Sequence, residues 1–314
     1  MNWAVEWTKQ SLSGEDVLQR IQALVPGVIA DVVIPYSSDG EPDWPRLASE
    51  VKVLDDSGAH ALSIGGVLGG TIGATPLELS SLCAAVKRCS KKPLFAIVFP
   101  DASSEGFEMV RAVEMGGADA ILVAQPHYLA QPGVEGLEEM FAELREFTNR
   151  PLLVADCLPG SVIGSKPIQR LIERRLVDGV LEAADMHVLV DLLCSRGEVP
   201  VYSGVEDLHY AALVMGAHGF VSNLATVFPR ECVELYAAFQ DCDHSKARKI
   251  HERLVRLWRT LNCGTEREAR LRSALSARGR PVGAASSPYG KLPPEANQHI
   301  SRVLEKEGIP LAGL

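Results

Sequence analysis

The stretch HALSIGGVLGGTIGATPLELSSLCAAVKRCSKKPLFAIVFP (60–100) decides the fold. It opens and closes on short apolar runs, HALSIGG (60–66) and PLFAIVFP (93–100), whose near-continuous hydrophobicity suits strands covered on both faces. Between them, ATPLELSSLCAAVKRC (74–89) carries apolar residues at helical spacing. The start of that helix has a physical cause. Thr75 can cap, Pro76 suits the first turn because its missing N–H costs nothing there, and Glu78 can complete a capping box.

The same unit recurs outward in both directions. Six more β-rich runs are GVIADVVIP (27–35), DAILVAQP (119–126), PLLVADC (151–157), DGVLEA (178–183), VPVYSG (199–204) and HGFVSN (218–223). WPRLASEVKVLDDSGA (44–59) shows the intervening helical period again, and glycines at Ser57-Gly58-Ala59, Gly116-Gly117-Ala118 and Gly216-Ala217-His218 can supply left-handed helix exits. Strands alternating with amphipathic helices imply an α/β fold with a parallel sheet. Eight units in about 215 residues fit a closed (β/α)₈ TIM barrel over 27–241 better than an open sheet. Residues 1–26 form a lead-in with a helix over 13–25. Three helical segments near 243–262, 265–278 and 293–308 have no strands between them and make a C-terminal helical region, 242–314, packed on the barrel.

Composition bounds the function. The chain has 314 residues, 46% hydrophobic and 23% charged, enough for a sizeable core. A net charge of -9 argues against a nucleic-acid partner, since a phosphate backbone recruits clustered Lys and Arg. The basic stretch from Arg253 to Arg280 is diluted by Glu266 and Glu268 and reads as a solvated helix face. Seven cysteines include no CxxC pair, and Cys157, Cys194 and Cys232 in apolar surroundings read as reduced core thiols. No secretory signal and no membrane-length apolar run is visible, so a cytoplasmic protein without a membrane partner is expected.

In such barrels the chemistry sits at the C-terminal ends of the strands. There the chain resembles the dihydrodipicolinate synthase and N-acetylneuraminate lyase family. GGVLGGTIGATPLELSSL lies where the family carries G-T-T-G-E and a Leu-Thr-x-Glu helix start. VVIPYSSDGEPD (32–43), ADAILVAQPHYLAQPGVEGLEEMF (118–141) and VYSGVEDLHYAALVMGAHGFVSN (201–223) follow its other landmarks in order and spacing. The resemblance implies a pyruvate or other 2-oxo acid site, aldol chemistry through a strand-six lysine imine, no further cofactor, and a homo-oligomer, dimer or tetramer.

The departures from the family pattern are concentrated at its reagents. The lysine of G-I-K-E corresponds to Leu181 in Gly179-Val180-Leu181-Glu182, and a leucine has no lone pair with which to form an imine. The two hydroxyls of G-T-T-G-E correspond to Val67 and Leu68, and the following acid to Gly70. The family's tyrosine falls at Ala155 or Asp156, and the synthases' carboxylate-holding arginine near Ser161. Tyr128 matches the second tyrosine of P-Y-Y and is the one aromatic candidate for catalysis. Gly66, Gly69, Gly204 and Val221 match positions that shape the pocket through backbone.

Replacements are sought nearby. None of the lysines, such as Lys87, Lys166 or Lys291, ends an expected strand. Asp156, Glu182, Asp101 and His127 fall near one rim and can in principle hold a divalent ion, but no HxH or HExxH spacing supports it and no metal is expected. Glu182 follows Leu181 and should point to the opposite face. Cys157 reads as a packed thiol. The glycine run 65–73 lacks a phosphate-loop signature, yet its N–H groups can cradle an anion. Three readings follow: an enzyme on the lyase scaffold handling a small 2-oxo acid or related carboxylate without an imine, an inactive relative serving as a binding or regulatory subunit, or a different strand-six register with a lysine acting elsewhere. The apolar rim of Val67, Leu68 and Leu181 favours a ligand less charged than pyruvate at its reacting end.

Overall fold

The computed structural model describes residues 14–126, 131–158, 160–284 and 292–311. Helix α1 (Gly14–Gln22) leads into eight strands: β1 (Gly27–Asp31), β2 (Ala61–Ile64), β3 (Leu94–Val98), β4 (Ala120–Ala124), β5 (Leu152–Asp156), β6 (Gly179–Glu182), β7 (Val201–Ser203) and β8 (Gly219–Ser222). Each pairs in parallel with the next, and β8 returns to β1 to close a barrel. Between them run α2 (Trp44–Asp56), α3 (Pro76–Cys89), α4 (Ser103–Met115), α5 (Val134–Phe147), α6 (Ser165–Glu173), α7 (Met186–Ser195) and α8 (His209–Val214). After β8 come α9 (Leu224–Val227) and α10 (Pro229–Gln240), then α11 (His244–Leu261), α12 (Arg267–Ala277) and α13 (Pro294–Lys306). The (β/α)₈ barrel with C-terminal helices read from the sequence is the architecture observed.

Local rules account for the elements. At α3, Glu78 N–H donates to Thr75 Oγ1 and Thr75 N–H donates to the Glu78 carboxylate, the capping box read from the sequence. Gly58, Gly117 and Gly216 have φ of 88°, 91° and 94°, the left-handed exits before β2, β4 and β8. Strand residues split by parity. One set packs outward against the helices in the larger core, and Ile29, Phe95, Leu122, Leu153, Leu181 and Tyr202 belong to a second cluster filling the barrel. Its lower end is closed by Leu24 and Val25. The Tyr202 hydroxyl donates to Val25 O at 2.8 Å, and His218 Nε2 lies 3.0 Å from Leu24 O. Of the three cysteines expected in the core, Cys232 is buried and Cys157 half-buried. Cys194 is exposed: it lies near the C-terminus of α7 on the side away from the buried Leu189, Leu192 and Leu193. No helix among the described residues is long and apolar enough to cross a membrane.

Candidate functional site

The C-terminal ends of the strands surround a cavity of about 190 Å³. Gly66, Val67 and Leu68 from the β2 loop, Leu181 from β6, Gly204 after β7 and Val221 from β8 all line it, so six of the positions singled out in the sequence meet there. Leu181 is 3% exposed and registers between Ala155 and Tyr202, pointing inward, with its Cδ1 packed towards Gly204. No lysine is among the described residues lining this space, and Arg267 at the start of α12 is the cation that does. The volume beside Gly70, where the family pattern has an acid, is taken by the guanidinium of Arg272, which is ion-paired to Glu268 at 2.8 Å.

Gly69 lies one step behind this wall; a Cβ built on it would sit 3.2 Å from Asp31 Oδ2. Asp156 departs from the expected pocket-lining position. Leu153 and Ala155 face into the barrel, so Asp156 faces out, and its Oδ2 accepts from Ile163 N–H at 3.0 Å and Gly164 N–H at 3.2 Å. Tyr128 and His127 lie outside the described residues.

Two buried acidic features flank the cavity. Inside it, Asp31 ends β1 at the inward parity set by Ile29. It is 3% exposed; Ser63 Oγ donates to its Oδ1 at 2.9 Å, while Oδ2 meets no side-chain donor among the described residues. Burial, with the charge of Glu206 adding, outweighs the Ser63 hydrogen bond and nearby backbone amides, so the Asp31 carboxyl is raised to about 7. Glu206 lines the same space but is fully engaged, by His209 Nε2 at 2.7 Å, Ser222 Oγ at 2.6 Å and the Asn223 and Leu224 N–H groups. Outside the barrel wall, Asp156 and Glu182 sit side by side in register. Glu182 Oε1 accepts from Ala184 and Asp185 N–H, both at 2.8 Å. Burial first, then the Asp156 charge, pushes Glu182 up to about 9, and burial also raises Asp156. One proton held between them relieves the repulsion.

The sequence reading missed Asp31. Its signal was an acid interrupting the apolar run GVIADVVIP, matched by Ser63 in the neighbouring strand. Glu182 turns away from the cavity as its parity requires. Cys157 belongs to the inner cluster, and burial, followed by the charges of Asp156 and Glu182, pushes its thiol up, which suits a packed thiol rather than a nucleophile. Among the described residues no group of three or more His, Cys, Asp or Glu side chains can hold a metal ion.

A second cavity of about 440 Å³ adjoins the first and shares Val67, Ile97, Phe99 and Leu158 with it. It is walled by the start of α3 and by β3, and Asp101 and the buried Gln125 also line it; both side-chain amide atoms of Gln125 lack partners among the described residues.

The model of the dihydrodipicolinate synthetase family matches residues 24–307. The chain is similar to the 4-hydroxy-tetrahydrodipicolinate synthase of Methanothrix thermoacetophila, 28% identical over 286 residues covering 89% of this chain and 96% of that protein. It is also similar to the enzyme of that name from Corynebacterium aurimucosum, 29% identical over 296 residues, 88% and 93% of the two chains. The dihydrodipicolinate synthase structure from Aquifex aeolicus superposes with a TM-score of 0.84 at 25% identity, covering 92% of this chain and 100% of that one. A prophage protein of the dihydrodipicolinic acid synthase family from E. coli K12, solved in complex with pyruvate, gives a TM-score of 0.86 at 20% identity over 91% and 100%, a likeness of fold alone. With a family model spanning nearly the whole barrel and its trailing helices, the chain belongs to the dihydrodipicolinate synthetase family.

Proposed function

We propose that this protein binds a small 2-oxo acid or related carboxylate in the cavity at the barrel mouth and handles it without a Schiff base. The carrying observation is Leu181, whose hydrocarbon side chain lines the cavity at the place where the resemblance puts the imine-forming lysine. An amine is the one group that converts a ketone to an imine, and no change of pKa gives a leucine that capacity. Val67 and Leu68 extend the apolar wall where the family pattern has hydroxyls, while the backbone of Gly66 and Gly204 keeps the pocket's shape. Arg267 supplies a positive charge for a carboxylate. A homo-oligomer, dimer or tetramer, belongs to this reading through the family alone.

Isothermal calorimetry with pyruvate and a panel of longer 2-oxo and 2-hydroxy acids tests it, with and without divalent metal. Saturable one-to-one binding that Leu181→Trp abolishes is the expected result. A full panel without heat or saturation overturns it. The second reading, an inactive relative acting as a binding or regulatory subunit, draws on the apolar character of Val67, Leu68 and Leu181 together. Co-purification with an active family member from the native host supports that alternative, and turnover by the pure homomeric protein rejects it.

A further inference from the structure

The barrel mouth has lost an amine in comparison with the family pattern, and it holds a carboxyl that the sequence reading did not anticipate. Asp31 rises from the end of β1 into the cavity that Leu181 lines. Its Oδ1 is fixed by Ser63 Oγ at 2.9 Å, and its main-chain carbonyl accepts from the Thr226 hydroxyl at 2.5 Å. That leaves Oδ2 with one task unassigned. It is buried, meets no side-chain donor among the described residues, and lies beside the Gly66 amide, under the glycine loop so closely that a Cβ on Gly66 would come within 2.2 Å of it. Glycine at that position is what lets the loop pass over the carboxyl.

The surroundings decide which form of the acid a ligand meets. Leu181, Val67, Leu68 and Val221 face it with hydrocarbon. The charged or titratable groups around it are Glu206 from the β7 loop, with His209 behind it, Arg267 from α12, and the Cys157 thiol just after β5. Glu206 is already satisfied by four donors and adds negative potential. A carboxylate ligand would bring a further negative charge into a space holding Asp31 and Glu206, with Arg267 the one cation among its described lining residues to offset it. Two carboxylates in one low-dielectric site cannot both stay ionised cheaply. Protonating Asp31 removes the conflict and turns Oδ2 from an acceptor into a donor.

We infer that Asp31 is the ligand-facing acid of this site: it takes up one proton as the cavity fills with a 2-oxo acid, and its Oδ2–H donates to the ligand's keto oxygen. The step balances as one ligand anion and one proton from solvent entering together, with no covalent bond made or broken. The inference rests on the 2-oxo acid reading above. It adds a role for a residue at which neither the family motif nor the strand-six position points. The raised carboxyl of Asp31 is consistent with it, since a group titrating near neutrality exchanges its proton readily at working pH.

Pyruvate binding measured by calorimetry at pH 6 and pH 8, in buffers of different ionisation enthalpy, reads the proton count directly. At pH 8 about one proton should be taken up per pyruvate bound, at pH 6 much less, and affinity should fall up to about tenfold per pH unit above the Asp31 titration. Asp31→Asn, whose amide still donates, should bind pyruvate with an affinity flat across this range and without that uptake. The wild-type proton count stands by itself should that variant fail to fold. Pyruvate binding with no proton uptake at pH 8, or an unchanged pH dependence in folded Asp31→Asn, overturns the inference while leaving the ligand reading intact. Absence of binding by every member of the 2-oxo acid panel at both pH values removes the ligand reading, and this inference with it.

Discussion

The two ends of the barrel treat buried charge in opposite ways. At the lower end, Asp178 is 1% exposed and receives Arg20 Nε at 3.0 Å, Arg145 Nη1 at 2.6 Å and Leu152 N–H at 2.9 Å. Opposite charges meet there, and they tie α1, α5 and β6 into one body. At the mouth, Asp31, Asp156 and Glu182 are just as buried, and no cation among the described residues is bonded to any of them. The difference teaches how this fold divides its work. Paired charges stabilise the closed end, while the mouth, beside its own Arg272–Glu268 pair, keeps three acids held above their ordinary range where the strands meet solvent.

The largest expected effect breaks the lower end. Asp178→Ala leaves two buried guanidinium groups without their shared carboxylate and should cost about 3–5 kcal/mol. A guanidinium chloride unfolding curve measures this, and a loss below about 1 kcal/mol would mean that the lower end is not held by this network. Ligand binding at the mouth should survive in whatever fraction remains folded.

Next in size is the carboxyl pair at the upper end. Glu182 rises from 4.5 to about 9 on folding, so between those values the folded chain binds more protons than the unfolded one. Its contribution to stability is therefore complete below pH 4.5 and is lost as pH climbs towards 9. Glu182→Gln keeps a neutral acceptor for the Ala184 and Asp185 N–H groups and should flatten that decline, leaving the variant about 1–3 kcal/mol more stable than wild type at pH 9. Chemical denaturation at pH 5, 7 and 9 checks it; parallel slopes for both proteins would contradict a shared proton.

The smallest effect is local. Thr75→Ala removes the α3 cap beside the second cavity and should cost about 1 kcal/mol, with no change in the pH dependence of either acidic feature. A shift in that dependence would show that the mouth and the α3 cap are coupled.

Much of this architecture was legible in the sequence because parallel strands buried on both faces leave apolar runs, and because Gly58, Gly117, Gly216 and Thr75 mark helix ends by local chemistry. What was not legible depends on parity and closure. Asp31 in GVIADVVIP reads as a strand's polar end until the barrel closes and shows that it shares the inward face with Ile29. Asp156 matches a cavity position in the family pattern, and the alternation of side chains along β5 turns it to the other face. Leu181 was legible because its strand carries a single reading, Gly-Val-Leu-Glu, in which the third residue must face in if the fourth faces out. Cys194 illustrates the limit of composition: apolar neighbours in sequence do not say which side of a helix is buried.

The most direct test of the account asks whether a covalent carbonyl adduct forms at the mouth. Protein saturated with pyruvate is treated with borohydride and weighed by intact mass spectrometry. An unchanged mass is expected under conditions where calorimetry shows the ligand bound. A gain equal to one reduced pyruvyl group, mapped to any lysine, would contradict it.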